Sequence, residues 1–251
     1  MRLAISQPTY LPWLGYFDLI DQTDCFVVLD NVQFSRQSWQ QRNRIKSAAG
    51  LQWLTVPVAF RGKLGQPICE VQIREEKFSK DHLRAIELAY RRAPYFSQYF
   101  AELTDHLLSV REGSLLADLN VRLLRWLVST LDIRTPMILA SSLPVEGKRT
   151  DLLASVCRNQ SADSYISPLG ASVYLLNELE VMARAGVDVA FQNYQHPEYE
   201  QLFPPFVPYA SVLDLLFNEG PRSLEIIRSG RREPLSPEQV AEKSAESQVP
   251  S

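Results

Sequence analysis

Residues that commonly mark a reaction are scarce in this chain. Its 251 residues include three cysteines, three histidines and ten glycines. The cysteines, Cys25, Cys69 and Cys157, lie far apart without a CxxC pair, which argues against a disulfide framework and against a structural zinc site. The glycines form neither a P-loop nor a G-x-G-x-x-G turn, and there is no G-x-S-x-G elbow. Walker-type nucleotide hydrolysis, dinucleotide redox chemistry and serine-hydrolase chemistry therefore lose their usual signatures. No uninterrupted apolar run approaches the roughly 18 residues that would suggest a membrane span. The N-terminus has no basic stretch followed by a long apolar one, so no secretory signal is expected. A net charge of −3 leaves no basic surplus for phosphate backbones, and nucleic acid is not an expected partner. Together these absences predict a reduced, cytoplasmic protein.

What is present is an ordinary globular composition, 45% hydrophobic and 22% charged, enough for one sizeable core. Residues 3–6 read as a buried strand. The run breaks at Gln7-Pro8 into a loop with Tyr10, Pro12 and Trp13, Gly15 opens an amphipathic stretch, and residues 25–29 form a second apolar run. This strand–loop–helix–strand unit matters because open α/β sheets bind ligands beyond the carboxyl ends of their strands. Further strands are predicted at 53–59 and 69–74, with a turn at 61–67 between them. Residues 76–134 read as a helical subdomain, in which 114–131 is apolar on more than one face and so is expected between layers. Beyond it, strands at 137–140, 164–167 and 187–191 alternate with helices at 152–159 and 171–185, the rhythm of a parallel sheet. The expected organisation is a single α/β domain over 1–230 and a polar, disordered tail over 231–251.

Four polar clusters follow predicted strands. In the first, Gln7, Tyr10, Trp13 and Tyr16 combine one amide with aromatic faces, which suits a sugar or a base; the alternative is a packed helix entry. In the second, Asp30, Gln33, Arg42, Asn43 and Lys46 concentrate groups that grip anions, with Asp30 the best general base; the alternative is a solvated loop. In the third, Ser167, Gly170 and Tyr174 lie between a strand and a helix start, where free N–H groups attract anions; the alternative is an ordinary cap. In the fourth, Asn193 and His196 follow the last strand, and His196 is the candidate proton carrier; the alternative is a hydrogen-bonded structural histidine. No metal site is expected, and no cofactor or oligomeric state is signalled.

The segments QPTYLPWLGYF, LDNVQFSRQSWQQRNRIK and WLTVPV, with RTDLLASVCRNQSADSYISPLGASVYL and VDVAFQNYQHPEYEQLFPPFVPYASVLDLLFNEGP downstream, resemble the WbqC-like family over about residues 1–228. The resemblance implies a bacterial transferase acting on an activated sugar or an acyl or aminoacyl substrate in surface polysaccharide (O-antigen) biosynthesis. The chain departs from the family pattern at Pro168, which removes one backbone donor from the third cluster. The placing of LPWLGY after the first strand also resembles the nucleotidylyltransferase group, without either histidine of that group's HxGH-type motif. That likeness implies a mainly parallel, Rossmann-like (nucleotidylyltransferase-like) sheet with a helical insertion. The expected partner is a small molecule: a sugar, an acyl donor or a nucleotide. Nucleotidyl transfer and non-catalytic binding or assembly within a polysaccharide-synthesis complex are the alternative functions.

Overall fold

The computed structural model describes residues 1–60 and 65–246, so most of the turn expected at 61–67 and the last five residues of the expected tail lie outside the described residues. The strands, in chain order, are β1 (Arg2–Ser6), β2 (Cys25–Val28), β3 (Arg42–Ser47), β4 (Gly50–Thr55), β5 (Val58–Ala59), β6 (Gln72–Ile73), β7 (Met137–Leu139), β8 (Ser164–Ser167), β9 (Asp188–Tyr194) and β10 (Arg231–Leu235). The central sheet has the order β10-β9-β8-β1-β2-β7. Every pairing in it is parallel except β9 with β10, which is antiparallel.

The period-two alternation of the strands divides the core. Ala4, Phe26, Val28 and Ile166 face one apolar cluster, while Leu3, Ile5, Val27 and Tyr165 face another on the opposite side of the sheet. The first cluster is covered by α1 (Leu14–Asp21), α2 (Lys77–Tyr90), α3 (Phe96–Leu108), α4 (Leu116–Thr130), α8 (Val212–Glu219) and α9 (Ser223–Ser229). The second lies under α5 (Thr150–Asn159), α6 (Ser172–Leu175), α7 (Leu179–Arg184) and α10 (Pro237–Glu246). The result is an α/β molecule with a mostly parallel sheet between helical layers. Helices α2 to α4 occupy the expected helical stretch, and α4 is buried on most of its surface.

Strand order fixes where a cavity can form. From β1 the chain moves outward through β2 and β7 on one side, and through β8, β9 and β10 on the other. The connections leaving β1 and β8 thus diverge, opening a crevice beyond their carboxyl ends.

Four readings of the sequence are corrected. The polar segment 30–46 reads as a loop, but from Arg42 onward it forms β3, which pairs in register with β4, Arg44 opposite Trp53. The strand expected at 53–59 is divided between β4 and β5. The one expected at 69–74 becomes a 3-10 turn (Ile68–Glu70) and the two-residue β6, all outside the central sheet. The expected disordered tail instead supplies β10 and α10. Arg231 of β10 reaches Asp18 at 2.6 Å, and also pairs with Asp21. Asp18 has no exposed surface although it lies on α1. Polar composition disguised this strand because its stabilising partner is more than two hundred residues away.

Burial raises the Asp18 carboxyl above its usual range, opposed by the hydrogen bonds from Arg231 and Gln192. Removing Arg231 strands a buried carboxylate, which costs about 3 kcal/mol. Arg231→Met should lower stability by that order at pH 7. A raised native pKa means the native state keeps its proton better than the unfolded chain. Stability from such a group is complete below its unfolded value, about 4, and is lost as pH rises through the native one. The variant's deficit should therefore narrow towards pH 4, as measured by denaturant midpoints across pH; a deficit that is constant or widens in acid would contradict this account.

Candidate functional site

A cavity of about 560 Å³ occupies the crevice. Its walls come from all four sequence clusters: Ser6 to Leu19 around the β1–α1 connection, Trp39 to Arg44 on the approach to β3 and on that strand, Pro168 to Gly170 after β8, and Gln192 and Tyr194 at the end of β9. Tyr209, from the connection between β9 and α8, completes the mouth.

Backbone hydrogen bonds lace these segments together. Tyr10 N–H donates to Trp39 O at 2.9 Å, Ser211 N–H to Arg44 O at 2.8 Å, and Val212 N–H to Pro12 O at 2.8 Å. The buried Asn43 amide donates to Tyr10 O and Leu11 O at 3.2 and 2.7 Å, while its Oδ1 accepts from Arg44 N–H. Its donors are thus committed to holding the loop against β3. Tyr16 Oη donates to Gln7 O at 2.9 Å. Gln192 Nε2 donates to Gly15 O at 2.7 Å and to Asp18 Oδ2 at 2.8 Å, which fixes this amide at the cavity wall.

The walls are chiefly aromatic. Trp13 packs edge-on to Tyr194, tilted against Tyr209, and parallel to His196 behind it. Its indole occupies the space beside Gly15 where a Cβ would stand, with ring carbons 2.3 and 2.4 Å from that position. Tyr209 adopts φ +63°, a left-handed conformation that costs a non-glycine residue about 1 kcal/mol or more. Three polar atoms of the wall residues have no hydrogen-bond partner among the described residues: Thr9 Oγ1, Arg44 Nε and Tyr194 Oη. Burial raises the Tyr194 phenol above its ordinary range, so it stays a neutral donor. Arg44 has no acidic partner among the described residues and stacks on Trp39 and Trp53 at 5.6 and 5.4 Å. The cavity therefore offers flat apolar faces and one guanidinium without an acidic partner among the described residues.

Of the sequence candidates, Trp13, Tyr16, Asn43 and Gly170 reach the cavity. The two proton-transfer candidates do not. Asp30 lies in a separate cleft with Ser141, accepting from its N–H and Oγ at 2.8 and 2.6 Å, so it caps the turn after β7. His196 stands behind Trp13 among Tyr199, Phe206 and Tyr209, with Nδ1 2.9 Å from Pro197 O, and desolvation lowers its pKa.

The others have partners or positions elsewhere. Tyr10 is fully buried and hydrogen-bonded to His82, which burial holds down at about 4. Lys46 is buried and donates to Gln201 Oε1, Phe203 O and Pro205 O. These bonds anchor residues 201–205 to β3. Gln7 bonds to Gln40, and Gln33 bridges Pro67. Ser167 donates to Pro168 O, Asn193 to Glu233 O, and Tyr174 lies under Arg149. Arg42 sits outside the cavity on Trp53. The third cluster begins only a 3-10 turn and the four-residue α6, too short to act as an anion-binding helix end.

Among the missed residues, Arg44 had a sequence signal: it alternates with Asn43 and Ile45, the period of a strand. Gln192 and Tyr194 were not missed: both belong to the polar cluster read after the last strand, and both line the cavity. Thr9, Trp39 and Tyr209 had none. Among the described residues, no group of three or more His, Cys, Asp or Glu is placed to hold a metal ion. In Gly15→Ala the new methyl would collide with the Trp13 indole and push it from its aromatic stack. The variant should show a changed tryptophan emission and a melting temperature lowered by several degrees, an effect of about 1–3 kcal/mol. Unchanged emission and melting would mean that the ring moves freely.

The chain matches the WbqC-like protein family model over residues 7–226. It is also 36% identical over 235 residues to the uncharacterized protein Rv1507c of Mycobacterium tuberculosis (strain ATCC 25618 / H37Rv), covering 92% of this chain and 99% of that one. No solved structure matches it. The match spans most of the chain, including every segment that walls the cavity except Ser6: the protein belongs to the WbqC-like family.

Proposed function

We propose that the protein is a transferase of bacterial surface polysaccharide (O-antigen) biosynthesis. On this reading its cavity holds an activated donor, a ring-bearing sugar or an acyl or aminoacyl group carried on an anionic portion. The observation that carries the reading is Arg44, a guanidinium without an acidic partner among the described residues, set beside two indoles at the cavity wall. Guanidinium grips phosphate or carboxylate through paired hydrogen bonds, and the low-dielectric surroundings strengthen that attraction. Trp13, Tyr16 and Tyr194 offer rings to the apolar face of a sugar or to a planar group. The parallel strand order and the crevice beside β1 support a Rossmann-like kinship, in which ligands enter at such a switch point.

One observation favours a second reading, non-catalytic binding within a polysaccharide-synthesis assembly. Among the described cavity-wall residues there is no carboxylate, imidazole, thiol or amine. A transferase built this way uses a donor whose leaving group departs without a protein acid, and catalysis comes from positioning and from charge stabilisation by Arg44. An assembly protein needs only the binding half of that description.

A melting-temperature screen of the intact protein against nucleotide-sugars, coenzyme A thioesters and nucleoside triphosphates tests the reading. One donor class should raise the melting temperature. Arg44→Met should cut the affinity about tenfold or more, the weight of a charge-assisted hydrogen bond. Product formation from the stabilising donor, measured with an acceptor panel, would separate transfer from binding alone. A ligand that stabilises wild type and Arg44→Met equally would remove the role assigned to Arg44.

A further inference from the structure

The hairpin formed by β3 and β4 carries an exposed feature that continues the cavity outward. Trp39 and Trp53 are 48% and 44% exposed, unusual for indoles, and their rings contact at 5.5 Å with a 34° tilt. Arg42 lies over Trp53 at 4.3 Å, and Arg44 lies near both indoles. Arg42 and Arg44 are two residues apart on one strand, so both leave the same face, with backbone origins about 7 Å apart. Neither guanidinium has an acidic partner among the described residues. The same strand face is closed at its far end, where residues 201–205 cover Lys46. It opens in the direction of Arg42. Trp39 and Arg44 also line the cavity, so the two surfaces form one continuous path.

We infer that this ladder is a subsite for a nucleoside diphosphate, the carrier portion of the donor whose transferred group lies in the cavity. The inference rests on the donor-binding reading above and names the carrier's chemical class. The diphosphate would lie along Arg44 and Arg42, which provide two positive charges in succession where one would serve a single carboxylate. The base would stack on the exposed indoles and guanidinium planes, as bases do on tryptophan and arginine in single-stranded nucleic-acid sites. The net charge of −3 gives the chain as a whole no attraction for a polyanion, which favours a mononucleotide over a polymer. Direction also agrees: the anionic middle of such a ligand falls at the cavity mouth, with the sugar or acyl group inward and the base outward.

Isothermal titration of the full-length protein with UDP, GDP, CDP and dTDP, with glucose 1-phosphate and inorganic pyrophosphate, and with a single-stranded oligonucleotide tests this. At least one nucleoside diphosphate should bind more tightly than glucose 1-phosphate and pyrophosphate. Trp53→Ala should weaken it about tenfold, as loss of one base stack does. Trp53→Phe should restore part of that loss. Arg42→Met should weaken the nucleoside diphosphate and flatten its salt dependence while leaving glucose 1-phosphate binding unchanged. Circular dichroism of each variant establishes that the hairpin has folded. Equal affinity of wild type, Trp53→Ala and Arg42→Met for the diphosphate would overturn the inference, as would failure of all four nucleoside diphosphates to bind wild type. If glucose 1-phosphate or a coenzyme A thioester bound in an Arg44-dependent manner while all four failed, the ladder would be refuted and the cavity reading would stand. Preference for the oligonucleotide would overturn it in favour of a nucleic-acid surface.

Discussion

Asp18 places a carboxylate in the interior of α1, and much of the cavity's geometry depends on how that charge is satisfied. A carboxylate without exposed surface is tolerable only with donors on its oxygens. Arg231 supplies one from β10, Gln192 supplies another from β9, and Gln22 contributes from the turn after the helix. Satisfying the charge therefore has three structural effects at once. It recruits the last strand to the sheet, orients the Gln192 amide at the cavity wall, and holds Gly15 where the Trp13 ring can lie against it. A hydrophobic residue at position 18 would relieve the desolvation but would leave Arg231 with Asp21 alone and the Gln192 amide with Gly15 O alone.

A second buried carboxylate plays the corresponding part on the other wall. Asp214 accepts from Tyr90 and Tyr199 at 2.9 and 2.7 Å, and from Gln201 at 2.8 Å. Burial raises its carboxyl above the usual range, and the three donors oppose the shift. Tyr90 also accepts from Lys46 N–H at 2.9 Å, so this network ties α2, β3 and α8 to the long connection carrying Tyr199 and Gln201. Acidic and basic side chains near the cavity are thus consumed in architecture. Arg44 is the exception that faces the cavity, which is why its unpaired charge weighs so heavily in the functional reading.

What could be read from the sequence follows the range of the interactions. The strand cores 3–6, 164–167 and 187–191, the buried helix α4 and the convergence of loops at the sheet's carboxyl edge all come from local periodicity or from the rule for parallel sheets. The hairpin escaped because its first strand, RNRIKS, carries as many charges as a loop; strand formation there depends on pairing with β4 and on Asn43 beneath it. The tail escaped for a similar reason, since Arg231 looks solvated until Asp18 is known to be buried. The functional candidates failed where residue type suggested chemistry but surroundings assigned structure. Tyr10 and Lys46 point into packed interior, and Asp30 caps a turn. His196 supports the back of an indole.

Tyr209 shows how the cavity mouth constrains its own evolution. Its left-handed backbone would suit glycine, while its ring stands half exposed against Trp13. Conformational comfort and the packing of the indole thus favour different residues at one site. A glycine there would relax the backbone but remove the ring that covers one side of Trp13, so the chain accepts local strain at this position in exchange for a walled entrance.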